Sequence, residues 1–298
     1  MKRGAPNPAV TTQIKDRLNT FLNTAGLQIS TTRAERREQT RLEKLVARGH
    51  WNTAPFSEGL LLDAEQHLAF LKSICEPYRS ELAALPVADL GAEDFFRNNE
   101  WFESVDADVL YGIVRHFAPA RIIEVGSGYS SRLAARSIRD GHLQTKLVCV
   151  DPCPRVEIRR CADEVVQSPV EELPVSALPD RLSPGDVLFI DSSHLIMTGG
   201  DVLYLYLQVL PRLRPGVLIH AHDIFLPFEY PQEFVLGDRW GWAEQYLVHA
   251  LLLGNRNFEI LWPSCYMWQT HREKVREIIP VEKSFPPPSS LWMRKMGQ

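Results

Sequence analysis

"RIIEVGSGYSSRLAARSI", residues 121–138, decides the fold. A short run apolar on consecutive residues reads as a strand buried on both faces, and the pattern after the glycines reads as a helix. Between them Glu124, Gly126, Gly128 and Ser130 occupy a strand-to-helix turn. Glycines there let the backbone turn sharply and let a ligand approach closer than a Cβ would permit. Further on, "KLVCVD", residues 146–151, is a second apolar run ending in Asp151, where an acid in such folds hydrogen-bonds a ribose diol. Strand, Glu-x-Gly-x-Gly, helix and acid-terminated strand together outline a nucleoside pocket, whereas a lone G-x-G would be only a structural turn. The third glycine of a nicotinamide fingerprint is absent, its place held by Ser131.

Outward from this unit, "DVLFID" (186–191), "GVLIHAHD" (216–223), "FEILWP" (258–263) and "SLWMRK" (290–295) continue the short apolar runs, with helical patterns between them. That alternation predicts an α/β, Rossmann-like, doubly wound sheet over residues 101–298. Residues 1–100 lack strand patterning and read as an N-terminal helical arm or cap. "TQIKDRLNTFLNTAGL" carries Ile14, Leu18, Phe21 and Leu22 near helical spacing, and "TTRAERREQTRLEKLVARG" is a charged, solvated helix ended by glycine. A third helix is expected in "DAEQHLAFLKSICEPYRSEL" and a fourth in "ESVDADVLYGIVRHFAP".

Composition narrows the function classes. The 298 residues are 45% hydrophobic and 23% charged, with 33 Lys and Arg against 37 Asp and Glu, so the net charge of -4 leaves no basic footprint for nucleic acid. No apolar run approaches the roughly 18 residues of a membrane span and the N-terminus has no apolar leader, so the expected location is cytoplasmic, without membrane. Cys75, Cys149, Cys153, Cys161 and Cys265 are odd in number and form no C-x-x-C pair, which argues against a disulfide framework or a zinc knuckle.

Chemistry concentrates in residues 185–225. One strand delivers Asp191, with His194 three residues later, and the next delivers His222 and Asp223. Ligands of open parallel sheets bind beyond the carboxyl ends of the strands, so both clusters should converge beside the nucleoside pocket. His220, two residues before His222, shares its strand face at greater depth and reads as an interior histidine or a partner to the site.

On these motifs the chain resembles the class I S-adenosylmethionine-dependent methyltransferases, whose first motif is an acid two residues before G-x-G. The resemblance implies a seven-stranded sheet with the last strand antiparallel. It also implies that Glu124, Gly126, Ser127, Gly128, Ser130, Ser131, Asp151 and Asp191 hold S-adenosyl-L-methionine, with Ser168 and Val170 in the loop that borders its adenine. Over residues 95–265 the arrangement is similar to the macrocin-type O-methyltransferases, in which a D-x-x-H and an acid pair build a divalent-metal site and a base. That implies Asp191, His222 and Asp223 as metal ligands and His194, or failing that His222, as the base. His222 stands where that subset has a carboxylate, and imidazole suits Mn, Fe or Zn better than Mg.

The expected reaction is O-methylation of a small-molecule hydroxyl. N- or C-methylation in the same pocket, a metal-dependent hydroxylase-like activity and a non-catalytic cofactor-binding role are the alternatives. Phe225, Phe228, Tyr230, Trp240 and Trp242 are candidates for an acceptor wall or lid, against plain packing. Glu244 and Gln245 start the next helix, where they would hydrogen-bond acceptor or lid backbone, and His249 reads as packed or solvated. "MWQTHREKVREIIPVEKSFPPP" exceeds what a hairpin turn needs and is expected to shape the site or an oligomer contact. A homodimer through the N-terminal helices is a further expectation.

Overall fold

The computed structural model describes residues 15, 18–25, 32–89, 91, 94–154, 158–279 and 287–297. The chain divides into two compact units, Met1–Asn52 and Thr53–Gln298. In the first, α1 (Arg33–Ala47) is the expected solvated helix, its surface pairing Arg41 with Glu38 at 2.6 Å. The helix expected over 12–27 lies partly outside the described residues; 18–22 are helical and Asn23–Ala25 form a 3₁₀ turn.

The second unit holds seven strands: β1 (Arg121–Val125), β2 (Lys146–Val150), β3 (Glu164–Val166), β4 (Val187–Ile190), β5 (Leu218–Ala221), β6 (Phe258–Pro263) and β7 (Leu291–Lys295). Their spatial order is β3-β2-β1-β4-β5-β7-β6. β1 pairs in parallel with β2, Ile123 opposite Val148, and with β4, Ile123 opposite Leu188. β7 runs antiparallel between β5 and β6. This is the Rossmann-like doubly wound sheet expected from sequence, last strand antiparallel included, and strand order reverses between β1 and β4.

Alternate residues of each strand feed opposite faces, which is why every run had to be apolar throughout. Ile122, Leu147, Phe189, Leu218 and Trp292 enter one core with α2 (Ala64–Cys75), α4 (Asp106–Phe117), α5 (Tyr129–Asp140) and α8 (Ser264–Ile278). Ile123, Val148, Leu188, Ile219 and Met293 enter the other, with the helical stretch 201–212 and α7 (Glu244–Leu252). Each such side chain, fully buried, contributes about 1.5–3 kcal/mol before conformational entropy is subtracted.

The second unit begins at Thr53, so α2 and the short α3 (Arg79–Ala83) lie within it. Asp63 caps α2 by accepting the N–H groups of Glu65 and Gln66. α2 packs against α4 closely: a Cβ on Gly112 would sit 2.5 Å from the Ile74 carbonyl oxygen. Two stretches differ from the sequence reading. The crossover after β4 is regular only as α6 (Asp201–Tyr204), then widens to a π-helical turn, Leu205–Val209, and ends at Leu210–Arg212, where Pro211 has no N–H to continue it. Residues 267–278, read as part of an insertion, belong to α8, which buries Met267, Trp268, Val275 and Ile278 against the first core and Cys265 against Phe225 and Tyr230. Among the described residues no helix is long and apolar enough to cross a membrane.

Candidate active site

At the carboxyl end of β1 the chain turns at Gly126, whose φ of +87° falls in the left-handed region that glycine tolerates. The close approach is equally demanding, because a Cβ there would lie 2.4 Å from the Asp191 carbonyl oxygen. The N–H of Asp191 donates to the Val125 carbonyl at 2.9 Å, so β1 and β4 end side by side at the reversal of strand order. Gly128 leaves open space over the turn, since a Cβ there would meet no atom within 4 Å, and its N–H donates to Ser131 Oγ at 3.1 Å.

Around this turn the expected cofactor residues gather. The Ser130 hydroxyl donates to Glu124 Oε1. Burial pushes the Glu124 carboxyl up to about 8, against the pull of the Ser130 and Ser131 hydroxyls and with repulsion from Asp191 and Asp151 added. Ser127 Oγ donates to Asp151 Oδ2 at 2.5 Å, and the Cys153 N–H donates to Oδ1 at 2.7 Å. The Asp151 N–H donates to the Val166 carbonyl, which places Ser168 and the buried Val170 just beyond the neighbouring strand end.

The second half of the site is an imidazole–carboxylate network. His194 and Asp223 are non-glycine residues with φ of 61° and 55°, a conformation that costs about 1–3 kcal/mol and clusters at functional sites. Buried His194 places Nδ1 2.7 Å from Oε2 of fully buried Glu244, which also accepts the Ser192 hydroxyl at 2.7 Å. The N–H groups of Ala243 and Glu244 donate to the His194 carbonyl, and the Trp242 ring lies 4.3 Å from the imidazole. His194 Nε2 then faces Asp191 Oδ1 and Asp223 Oδ2, each at 3.5 Å. Burial disfavours the imidazolium, but Asp191, Glu244 and Asp223 together outweigh it and hold His194 well above the usual histidine range.

His222 Nδ1 lies 3.4 Å from Asp223 Oδ2 and 3.8 Å from Asp191 Oδ1. Burial again opposes the imidazolium but is overcome here by Asp223, Asp191 and Asp106, which raise the imidazole to about 9. Asp223, also engaged by the Ser289 hydroxyl at 2.9 Å, is held far below the usual carboxylate range by His222 and His194 despite burial. His220 stacks on Phe189 at 3.7 Å and bonds Ser290 Oγ at 2.7 Å; burial and the neighbouring His222 charge keep it neutral. It is an interior residue behind the site.

Asp191 joins the halves. Its backbone packs under Gly126 while its carboxylate faces both imidazoles. The trio expected as metal ligands, Asp191, His222 and Asp223, does not fit a magnesium site. Octahedral ligands at 2.0–2.1 Å would stand about 3.0 Å apart, whereas the nitrogen–oxygen separations here are 3.4 and 3.8 Å. Among the described residues no group of three His, Cys, Asp or Glu side chains is arranged to hold a metal ion.

Beside His222 and Asp223 opens a small cleft of about 50 Å³, with Asp106, Phe225, Phe234 and Ser289 in its lining. Phe225 and Tyr230 are buried, and Phe234, Trp240 and Trp242 pack against one another, with Trp242 against His194. Gln245 fixes that segment, accepting the Phe225 N–H through Oε1 and donating its own N–H to the Tyr230 hydroxyl. His249 lies apart, near the Glu58 carbonyl at 3.3 Å. Asp106 was not legible as a site residue, because an acid opening a helix already has a local reason to be there. Here its Oδ2 accepts the Ser289 and Ser290 N–H groups, beneath His222.

Residues 123–224, which hold the glycine turn, Asp191, His194, His222 and Asp223 but not Glu244, match the family model described as "Methyltransferase domain". The matched stretch runs from β1 through β5 to Ile224. An uncharacterized protein of Archaeoglobus fulgidus is 30% identical over 89 residues, covering 28% of this chain and 40% of that protein, so the chain spans well under half the length of the relative it matches. Two solved structures are also similar. One is a methyltransferase of Podospora anserina with bound S-adenosylhomocysteine (14% identity, 91% of this chain and 99% of that one, TM-score 0.41). The other is an O-methyltransferase of Bacillus cereus in complex with the same product (13% identity, 81% and 94%, TM-score 0.39).

Proposed function

We propose that this chain methylates a hydroxyl of a small molecule from S-adenosylmethionine, with His194 as the general base and Glu244 as the residue that positions it. The observation that carries this reading is the placement of Asp191, which brings the glycine turn and the His194–Glu244 pair to one rim of the sheet. Glu124, Gly126, Gly128 and Asp151 would hold the cofactor, with Ser127, Ser130, Ser131, Ser168 and Val170 around it. Bound there, it supplies a methyl group on a sulfonium, open to in-line displacement.

The acceptor hydroxyl must lose its proton as it attacks. Glu244 fixes Nδ1 of His194, so Nε2 is the nitrogen that takes this proton, and Asp191 and Asp223 stabilise the imidazolium that results. The same carboxylates favour imidazolium at rest, so the working base is the fraction deprotonated above the ordinary histidine range. Turnover is therefore expected to rise with pH above neutrality.

His194→Ala should lower kcat by roughly 10²–10⁴-fold while affinity for S-adenosylhomocysteine is retained. Full activity in His194→Ala with loss in His222→Ala would move the base to His222. A divalent metal on Asp191, His222 and Asp223 is the competing reading of the same residues. Exhaustive chelation is expected to leave turnover unchanged, and abolition restored by Mn²⁺ or Zn²⁺ would favour the metal.

A further inference from the structure

We propose that Tyr206 is a positioning residue of the methyl-transfer site, its hydroxyl donating to Glu244 Oε1 and so holding the carboxylate that aims His194. This adds a residue to the proposed reaction and rests on that reading. Oε2 of Glu244 already takes the His194 imidazole and the Ser192 hydroxyl, each at 2.7 Å. Among the described residues, Oε1 of this fully buried side chain has no donor in bonding geometry, and the Tyr206 hydroxyl, buried as well, has no acceptor. Burial first and the adjoining Glu244 carboxyl second hold the Tyr206 phenol well above the usual tyrosine range, which places the two unmatched groups side by side. A buried hydroxyl and a buried carboxylate oxygen are each costly when left alone, and one bond between them removes both penalties.

The backbone explains why a tyrosine of the crossover reaches Glu244. Successive residues of a regular helix point about 100° apart, so three in a row do not share one narrow face. Tyr204, Leu205 and Tyr206 are nonetheless all buried, where α6 gives way to the π-helical turn Leu205–Val209. Such turns are rare and recur at functional sites. The Tyr204 hydroxyl donates to the Leu173 carbonyl at 3.0 Å, so the two tyrosines serve different partners.

Tyr230 and Asp201 also face Tyr206, and both are engaged elsewhere. The Tyr230 hydroxyl accepts the Gln245 N–H at 3.0 Å. Asp201 is committed to the loop that carries His194, one oxygen accepting the Ser193 hydroxyl at 2.6 Å and the other its N–H at 2.7 Å. Ser192 from that loop and Tyr206 from the crossover then hold Glu244 by its two oxygens, so Nδ1 of His194 meets a carboxylate that resists rotation.

The test combines proton NMR and urea unfolding of the full chain. The Nδ1 proton of His194, held by a carboxylate, is expected as a low-field resonance that His194→Gln removes. Tyr206→Phe keeps the ring and deletes only the hydroxyl. It should move that resonance further downfield, because Glu244 without its second donor pulls harder on Nδ1, and should lower the urea midpoint, because Oε1 is left buried and unmatched. In a Glu244→Gln background the same substitution should shift the midpoint less. A resonance that stays in place in Tyr206→Phe, a midpoint unchanged or raised, or equal midpoint shifts in the two backgrounds overturns the proposal. Full turnover by His194→Ala, with the Tyr206→Phe results as expected, would instead sink the methyl-transfer reading.

Discussion

As the proposed base, His194 needs two opposed properties, a nitrogen basic enough to accept a proton and a proton absent when the acceptor arrives. Glu244 supplies the first by holding Nδ1 at 2.7 Å from a fully buried carboxylate, and thereby raises the pH at which the second is met. Glu244→Gln keeps the shape and removes the charge, so the ascending limb of the kcat/KM–pH profile should move to lower pH. The plateau should fall by about 10- to 100-fold as Nδ1 loses its charge-assisted bond. A pH–rate series on both proteins checks this, and a limb that stays in place would show that another group titrates. At this scale the sequence displayed His194, His222, Asp191 and Asp223 because they follow strand ends. It did not display Asp106, whose role depends on Ser289, 183 residues away.

Among the elements, the turn from β1 into α5 carries the largest constraint. Gly126→Ala adds strain at a φ of +87° and a contact with the Asp191 carbonyl, so it is expected to destabilise the unit by about 1–3 kcal/mol in urea unfolding. It should also weaken S-adenosylhomocysteine binding, since the turn cannot yield without displacing Asp191. Strands β1, β2, β4, β5, β6 and β7 were legible because burial on both faces forces apolar runs. β3 was not, being three residues long with Glu164 exposed at its start. α8 was hidden by its charged exposed face, "HREK", which interrupts the Met267, Trp268 and Val275 stripe and coincides with a kink at His271. The aromatic segment 225–242 could be recognised by composition, but only its contacts show that Trp242 covers His194 while Phe225 and Phe234 face the cleft.

For the whole molecule, the site is a store of unfavourable burial. Glu124 is raised to about 8 in the folded chain, against roughly 4.3 unfolded. Folding then binds a proton that the unfolded chain releases, so this contribution is complete below about pH 4 and is lost progressively as pH rises through 8. Glu124→Gln is expected to flatten the fall in stability between about pH 5 and 8, read as urea midpoints across that range; a slope equal to wild type would show that Glu124 ionises freely. Asp223, depressed instead, acts oppositely, its contribution present above about pH 4 and lost on acidification.

A calorimetric titration with S-adenosylhomocysteine, run on the wild-type chain and on Asp151→Ala, tests the central claim most directly. The expected result is saturable heat at one site per chain, with affinity at least about tenfold lower in the variant, because a charge-assisted bond to the ribose is removed. Absence of heat from the wild-type chain, or equal affinity in the two proteins, would contradict the assignment of the glycine turn and Asp151 as the cofactor pocket.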